Sequence, residues 1–216
     1  MSLIGTRHII IGCGAQCKYV LDIFSETGAK TEAILDPIGK KAGGQINGIP
    51  IRRFDPAEVR ELLKAESRAV IIGVSDNRLK MELFHLLTPM GKIGNAIHPA
   101  SVISSLATVG RGVIINAGAV IQPFAIIGNG VMIHAGVIVE HDNLIADFVN
   151  LAPRVTLAGG ISIGKASTIY SGAVVAPNVS IGAGTVVGAG SLVLHDLPDN
   201  VVAYGSPARI TEKENG

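Results

Sequence analysis

From Ile97 onward every sixth residue is aliphatic: Ile97, Ile103, Val109, Ile115, Ile121, Ile127, and on through Val187 to Val193. That makes seventeen consecutive positions without exception or insertion. A period of six matches neither an α-helix, which repeats every ~3.6 residues, nor a strand alternating every two. It matches a β-solenoid in which each hexad forms one side of a triangular coil. The aliphatic residue points inward, and stacked coils bury a continuous column. Four residues after each aliphatic comes a mostly small or β-branched residue, as at Val113, Ala119, Val131, Val155 and Ala173. The position directly after the aliphatic is often Gly or Ala, as at Gly110, Gly128, Ala152 and Gly164. Small residues are expected at tight corners, where positive φ costs Gly least. One coil takes three hexads, so position 159 should stack on position 141. A β-sandwich does not hold one register through so many hexads.

The coil accounts for the composition. The chain has 27 Gly in 216 residues, 4% aromatic residues and no Trp, because rings do not fit a narrow interior. Charge divides the chain: residues 1–96 hold 13 of the 18 Lys and Arg, whereas residues 97–200 hold only three. A domain boundary is therefore expected near Ile97, giving domains 1–96 and 97–216. An apolar fraction of 48% and a mean hydropathy of +0.45 exclude intrinsic disorder. A net charge of +1 argues against nucleic-acid binding, which draws most of its affinity from clustered cations. The two cysteines, Cys13 and Cys17, lie together in one segment and offer neither a disulfide framework nor a four-ligand zinc site. The N-terminus lacks the pattern of a secretory signal, and no run of 18 apolar residues occurs. The expectation is a soluble, cytoplasmic protein without a membrane partner.

The first domain alternates strand and helix signals. The pattern predicts strands at His8–Ile11, Thr31–Leu35 and Ala69–Val74, with helices at 15–27, Pro56–Ala65 and Asn77–Leu87. Such alternation implies a small parallel sheet covered by helices. Gly12-x-Gly14, after a strand and before a helix, suits phosphate binding, since N–H groups at a helix start attract anions. The full G-x-G-x-x-G fingerprint is incomplete, because Cys17 stands at its third glycine. Asp36 lies 22 residues after Gly14, near the spacing of a ribose-binding acid. The expectation is half a dinucleotide site, sized for a nucleoside diphosphate.

In the charge-poor coil, Glu140-His141-Asp142 is the one dense cluster of ionisable groups. Histidine suits general-base work near neutrality, and an adjacent carboxylate fixes its tautomer. From spacing alone, a solvated polar corner explains the cluster equally well. His134, in the preceding hexad, is a candidate to orient the acid, or a polar corner residue. A β-helix zinc hydratase would need three converging histidines. The six here (8, 85, 98, 134, 141 and 195) offer no such triad, so no metal is expected.

The hexads resemble those of the left-handed β-helix acetyltransferases, and Val201-Val202-Ala203-Tyr204-Gly205-Ser206-Pro207-Ala208-Arg209 resembles their terminal motif. Gly12-Cys13-Gly14-Ala15-Gln16-Cys17-Lys18, Asp36, Ser75-Asp76-Asn77-Arg78 and Asn95-Ala96-Ile97-His98-Pro99 are similar to the sialic-acid O-acetyltransferase-like family. Within it they most resemble the N-acetyltransferases of nucleotide-linked 4-amino sugars. The resemblance implies a mixed fold: a small Rossmann-like α/β domain, then a left-handed parallel β-helix. It implies a homotrimer with acetyl-CoA as co-substrate between neighbouring β-helices, and acetyl transfer to the C4 amine of a nucleotide-linked amino sugar. It places the catalytic base at His141 and its acidic partner at Asp142, with His134 and Glu140 as orienting groups. Acetyl-CoA contacts fall to Asn150, Gly159 (whose backbone is an oxyanion donor) and Arg209. The nucleotide sugar falls to Gly12, Gly14, Ala15, Gln16, Asp36, Pro37 and Asn77. Ala15 and Gln16 replace the family's usual Gly-His, and Asn150 replaces a His. A sugar O-acetyltransferase with the same base is the alternative, and a non-catalytic scaffold subunit a more remote one.

Overall fold

The computed structural model describes residues 7–64 and 68–213. The chain divides into two compact units between Pro99 and Ala100.

In the first unit, strands β1 (Arg7–Ile11), β2 (Lys30–Asp36), β3 (Gln45–Ile46), β4 (Ile49–Arg53) and β5 (Arg68–Ile72) form a sheet ordered β3-β4-β2-β1-β5. Strand β1 pairs in parallel with both β2 and β5, and β4 pairs in parallel with β2. The centre of the sheet is a continuous apolar layer: Ile9, Ile10, Ile11, Ile34, Leu35 and Val70 have no exposed surface. Such unbroken runs belong to strands covered on both faces. Helix α1 (Ala15–Thr27) buries Cys17, Val20 and Phe24, spaced to share one face, and stops at Gly28 in the left-handed conformation (φ 70°).

Helices α2 (Pro56–Leu62) and α3 (Asn77–Leu87) start conventionally. Asp55 accepts from the Ala57 N–H at 2.9 Å, and Asp76 from the Leu79 N–H at 2.7 Å. Helix α2 ends at Leu62, and Ala65, where the sequence predicts its end, lies outside the described residues. Strand β5 ends at Ile72, two residues before the predicted Val74, although the Gly73 N–H still donates to the Ile11 carbonyl at 2.8 Å. The composition reading overlooked the β3–β4 hairpin. Its turn is Asn47-Gly48, both with positive φ (50° and 74°), the two-residue combination that matches strand twist.

The second unit is a three-walled coil. Wall one runs from Val102–Ile103 through Val120–Ile121, Ile138–Val139, Thr156–Leu157 and Val174–Val175 to Leu192–Val193. Wall two runs from Thr108–Val109 through Ile126–Ile127, Leu144–Ile145 and Ser162–Ile163 to Ser180–Ile181. Wall three includes Ile114–Ile115, Met132–Ile133, Asn150–Leu151, Thr168–Ile169 and Val186–Val187. It continues into the parallel strand Val201–Gly205 and the antiparallel Ala208–Lys213. Register partners are 18 residues apart, as in Val120↔Ile138, so one coil is three hexads. The hexad aliphatics are 0–2% exposed from Ile115 to Val193, and the residues four positions on form a second buried column.

The corners differ from the expectation. From Val109 to Val187, positive φ recurs three residues after each aliphatic, not one, at Gly112, Gly118, Phe124, Gly130, Gly136, Asp142 and onward to Gly190. Glycines directly after the aliphatic serve close approach instead. A Cβ on Gly110 would stand 2.8 Å from the carbonyl carbon of Gly128 in the next coil. Among the described residues, no helix is long and apolar enough to cross a membrane.

Candidate active site

The corner joining wall one to wall two carries Glu140, His141, Asp142 and Asn143. Asp142 adopts the left-handed conformation (φ 60°), which Asp tolerates better than most residues. Its Oδ2 lies 2.7 Å from His141 Nδ1. An ionised carboxylate only accepts, so Nδ1 carries the proton and Nε2 is left as the basic nitrogen. Both side chains are 62% exposed. A hydrogen bond so open adds little to stability, so the pairing matters for orientation.

Gly159 stacks on His141, as the period of 18 requires. A Cβ there would lie 2.6 Å from His141 Cε1 and 2.7 Å from Nε2. The imidazole therefore occupies space that any other residue would fill. The Gly160 N–H donates to the His141 carbonyl at 3.0 Å, while the Gly159 N–H bonds to none of the described residues. Asn143, missed by the sequence reading, fastens the two corners together. It is 1% exposed, and its Oδ1 accepts from the Ile161 N–H at 2.6 Å. The available signal was an Asn standing in the second inner column, between Ala125 below and Ile161 above.

The remaining coil candidates lie elsewhere on the triangle. His134 belongs to the corner between walls three and one, is 8% exposed, and faces Asn116 Nδ2 at 3.4 Å from its Nδ1. Asn150 lies on wall three, opposite the His141 corner, paired with Met132 and Thr168. Its Oδ1 is buried without a hydrogen-bond partner among the described residues. Arg209 is on the strand Ala208–Lys213, which extends the same wall, and its guanidinium reaches the carbonyl of Ala208 at 3.1 Å. Glu140 is half-buried beside the pair.

The first unit holds a cavity of about 230 Å³, open on one side. That is below the ~300–1,000 Å³ of drug-sized sites, so it has room for only part of a molecule of that size. Gly12, Gly14, Ala15, Gln16, Asp36 and Pro37 line it, and Asn77 does not. Asn77 instead accepts from buried Lys80 Nζ at 3.1 Å. Sequence reasoning missed Cys13, Lys40, Lys41 and Ser75 in the lining. Two residues play parts unlike those expected. The Gly12 N–H is spent on the Leu35 carbonyl at 2.8 Å, and a Cβ on Gly12 would clash with the Gly73 carbonyl. Asp36 is 2% exposed; Oδ1 accepts from the Ile38 N–H at 2.9 Å and Oδ2 from the Lys41 N–H at 2.6 Å. Burial pushes the Asp36 carboxyl up, but the N–H groups of Lys41, Ile38 and Gly39 and the Cys13 thiol together hold it below its ordinary value. Burial and the Asp36 charge push the Cys13 thiol up, and burial pushes Cys17 to about 12, so neither is a nucleophile at neutral pH.

The molecule is thus a β-helix with an exposed His–Asp pair, preceded in the chain by an α/β unit with a cavity at a helix start. Residues 106–141 and 160–195 match bacterial transferase hexapeptide repeats, and residues 7–87 match the PglD N-terminal domain. A histidine-to-asparagine variant of perosamine N-acetyltransferase from Caulobacter crescentus, solved with CoA and GDP-perosamine, is 35% identical. The match covers 95% of this chain and 97% of that one, with a TM-score of 0.87. The acetyltransferase domain of PglB from Neisseria gonorrhoeae, in complex with acetyl coenzyme A, is 27% identical over 95% and 99% of the two chains, with a TM-score of 0.87. A comparison with curated proteins finds no match. The chain belongs to the hexapeptide-repeat acyltransferase family, in the branch that carries a PglD-type N-terminal domain.

Proposed function

We propose that the protein is an acetyl-CoA-dependent N-acetyltransferase acting on the C4 amine of a nucleotide-linked amino sugar. The observation that carries this reading is the His141–Asp142 pair, 2.7 Å apart and open to solvent beside Gly159, in a chain that also holds a helix-start cavity. His141 Nε2 accepts a proton as the amine nitrogen bonds the thioester carbonyl carbon. The C–S bond then breaks, and the proton passes through His141 to the departing sulfur. Asp142 holds the ring and stabilises the imidazolium. The Gly159 N–H supplies a donor for the oxyanion. The buried, unpartnered Asn150 Oδ1 suits an amide N–H of the CoA arm, and Arg209 its phosphates. Gly14, Ala15, Gln16 and Pro37 face the nucleotide.

His141 and Asn150 lie on opposite sides of one triangle, so a site that uses both takes Asn150 from a neighbouring copy. The protein accordingly works as a homotrimer, in the cytoplasm where acetyl-CoA is made. The decisive experiment follows CoA release with acetyl-CoA and a panel of UDP-, GDP- and dTDP-linked 4-amino sugars. Release with at least one of them, lost in His141→Ala, is the expected result. Release with free sugar hydroxyls alone, or full activity in His141→Ala, overturns the reading.

A further inference from the structure

The cavity in the first unit contains a cation that nothing so far has used. The loop from Asp36 to Lys41 folds back over it. Buried Asp36 ties this loop through two backbone N–H groups, of Ile38 at 2.9 Å and Lys41 at 2.6 Å. The tie fixes where the Lys41 side chain leaves the loop, and its Nζ donates to the Cys13 carbonyl at 3.3 Å. Cys13 immediately precedes Gly14, the residue that opens α1. Among the described residues, no carboxylate lies within ion-pair distance of Lys41. The two acids in the lining, Asp36 and Asp76, both hold backbone N–H groups.

The helix start beside that ammonium is open. Unlike α2 and α3, α1 has no side-chain cap, although it runs for 13 residues, and its first turn holds no acidic residue. First-turn N–H groups find no partner within a helix and attract anions. Gln16, in that first turn, lines the cavity, is 6% exposed, and holds its Oε1 buried without a partner. A buried carboxamide left unsatisfied costs free energy unless a ligand completes it.

We infer that Lys41 is the diphosphate-binding cation of this site and that Asp36 is a positioning residue acting through Lys41, not a group that reads the ribose. Resting on the nucleotide-sugar reading, this assigns the cavity to the phosphates of a nucleoside diphosphate, while Gln16 Oε1, an acceptor, meets a hydroxyl or N–H elsewhere on the ligand and not a phosphate oxygen. The sugar carrying the amine is bonded to the outer phosphate and extends beyond the cavity.

The test measures binding of UDP, GDP, dTDP, dUDP and UMP by calorimetry to the full chain and to Lys41→Met, Lys41→Arg, Asp36→Asn and the Lys41→Met/Asp36→Asn double variant. Thermal unfolding of each variant is recorded alongside. Lys41→Met should weaken at least one nucleoside diphosphate tenfold or more, change UMP by less than about threefold, and be largely rescued by Arg. Asp36→Asn should weaken the same diphosphate and UMP in the same proportions. In the Lys41→Met background it should add less than about twofold, since the two residues act as one unit. It should affect UDP and dUDP alike. Unchanged diphosphate affinity in Lys41→Met overturns the inference. So does an undiminished Asp36→Asn effect in that background, or a loss confined to UDP over dUDP. If Asp36→Asn does not fold, the Lys41→Met and Lys41→Arg pair decides alone. Because binding is read without turnover, failure of acetyl transfer leaves this result standing, and unaltered binding in Lys41→Met leaves the transferase reading standing.

Discussion

Gly159 and His141 show how a missing side chain makes a site. The ring lies where a Cβ at position 159 would be, 2.7 Å from Nε2, and the left-handed φ at this corner (72°) belongs to Gly160, not Gly159. Alanine at 159 is therefore tolerated by the backbone but displaces the imidazole. Gly159→Ala is expected to lower kcat about 100-fold, the cost of misplacing a reacting group by about 1 Å. The melting temperature should stay within a few degrees of the parent. Steady-state kinetics together with a thermal melt check both halves, and a variant that loses stability as well as activity would count against the steric account. The His–Asp pair was legible because ionisable residues are so scarce in the coil, and the period of 18 set position 159 against it. Asn143 was not legible in the same way. Its role depends on a hydrogen bond to Ile161 between coils, which a linear pattern of residue types does not display.

Among the elements, α3 carries an unusual burden in Lys80, which is 1% exposed and bonds Asn77 at 3.1 Å. Burial pulls its ammonium down to about 8 from an ordinary 10.5, partly offset by Asp76. Between those values the unfolded chain binds more protons than the folded one, so stability rises with pH from about 8 to about 10.5. At about 1.36 kcal/mol per pH unit the gain is about 3 kcal/mol. Lys80→Met is expected to flatten that rise and to raise the melting point at pH 7. Denaturant titrations of both proteins at pH 7, 9 and 10.5 measure it, and parallel pH dependence in the two would overturn it. The elements were legible where periodicity spoke: α1 and α3 have the predicted bounds. The β3–β4 hairpin escaped because its strands are short and its signal, Asn47-Gly48, is a turn and not a run. The corner glycines were read correctly as necessary but for one reason, whereas the coil uses two, left-handed φ and close approach. Gly110→Ala, with its Cβ 2.8 Å from the backbone of the next coil, is expected to cost about 1–3 kcal/mol, like other overpacked cores. Chemical denaturation reads that loss directly.

At the scale of the whole molecule, the outer surface of the coil is not what a solitary chain presents. Leu106 and Phe124 are each 59% exposed, Ile126 49% and Leu144 50%. Position 124 stacks beneath 142 and position 126 beneath 144, so this apolar edge borders the His141–Asp142 pair. Contiguous exposed apolar surface of that kind marks an interaction site. Asn150 and Arg209 lie across the triangle on wall three, which one chain cannot bring to His141. In a closed symmetric ring each site would take His141 from one copy and Asn150 from the next. Co-expressing an inactive His141→Ala chain with an Asn150 variant crippled in acetyl-CoA use tests this through the arithmetic of mixing. With equal amounts and random assembly, a site is intact when its first copy keeps His141 and its neighbour keeps Asn150. That happens with probability one half times one half, so activity should recover to about a quarter of the parent's. A site contained within one chain gives no recovery, because every chain carries one of the two lesions. Leu144→Glu, placed on the apolar edge, should lower both the oligomer mass by light scattering and the recovered activity. Oligomer mass and recovered activity both undiminished in Leu144→Glu would separate the shared site from the edge and overturn their connection.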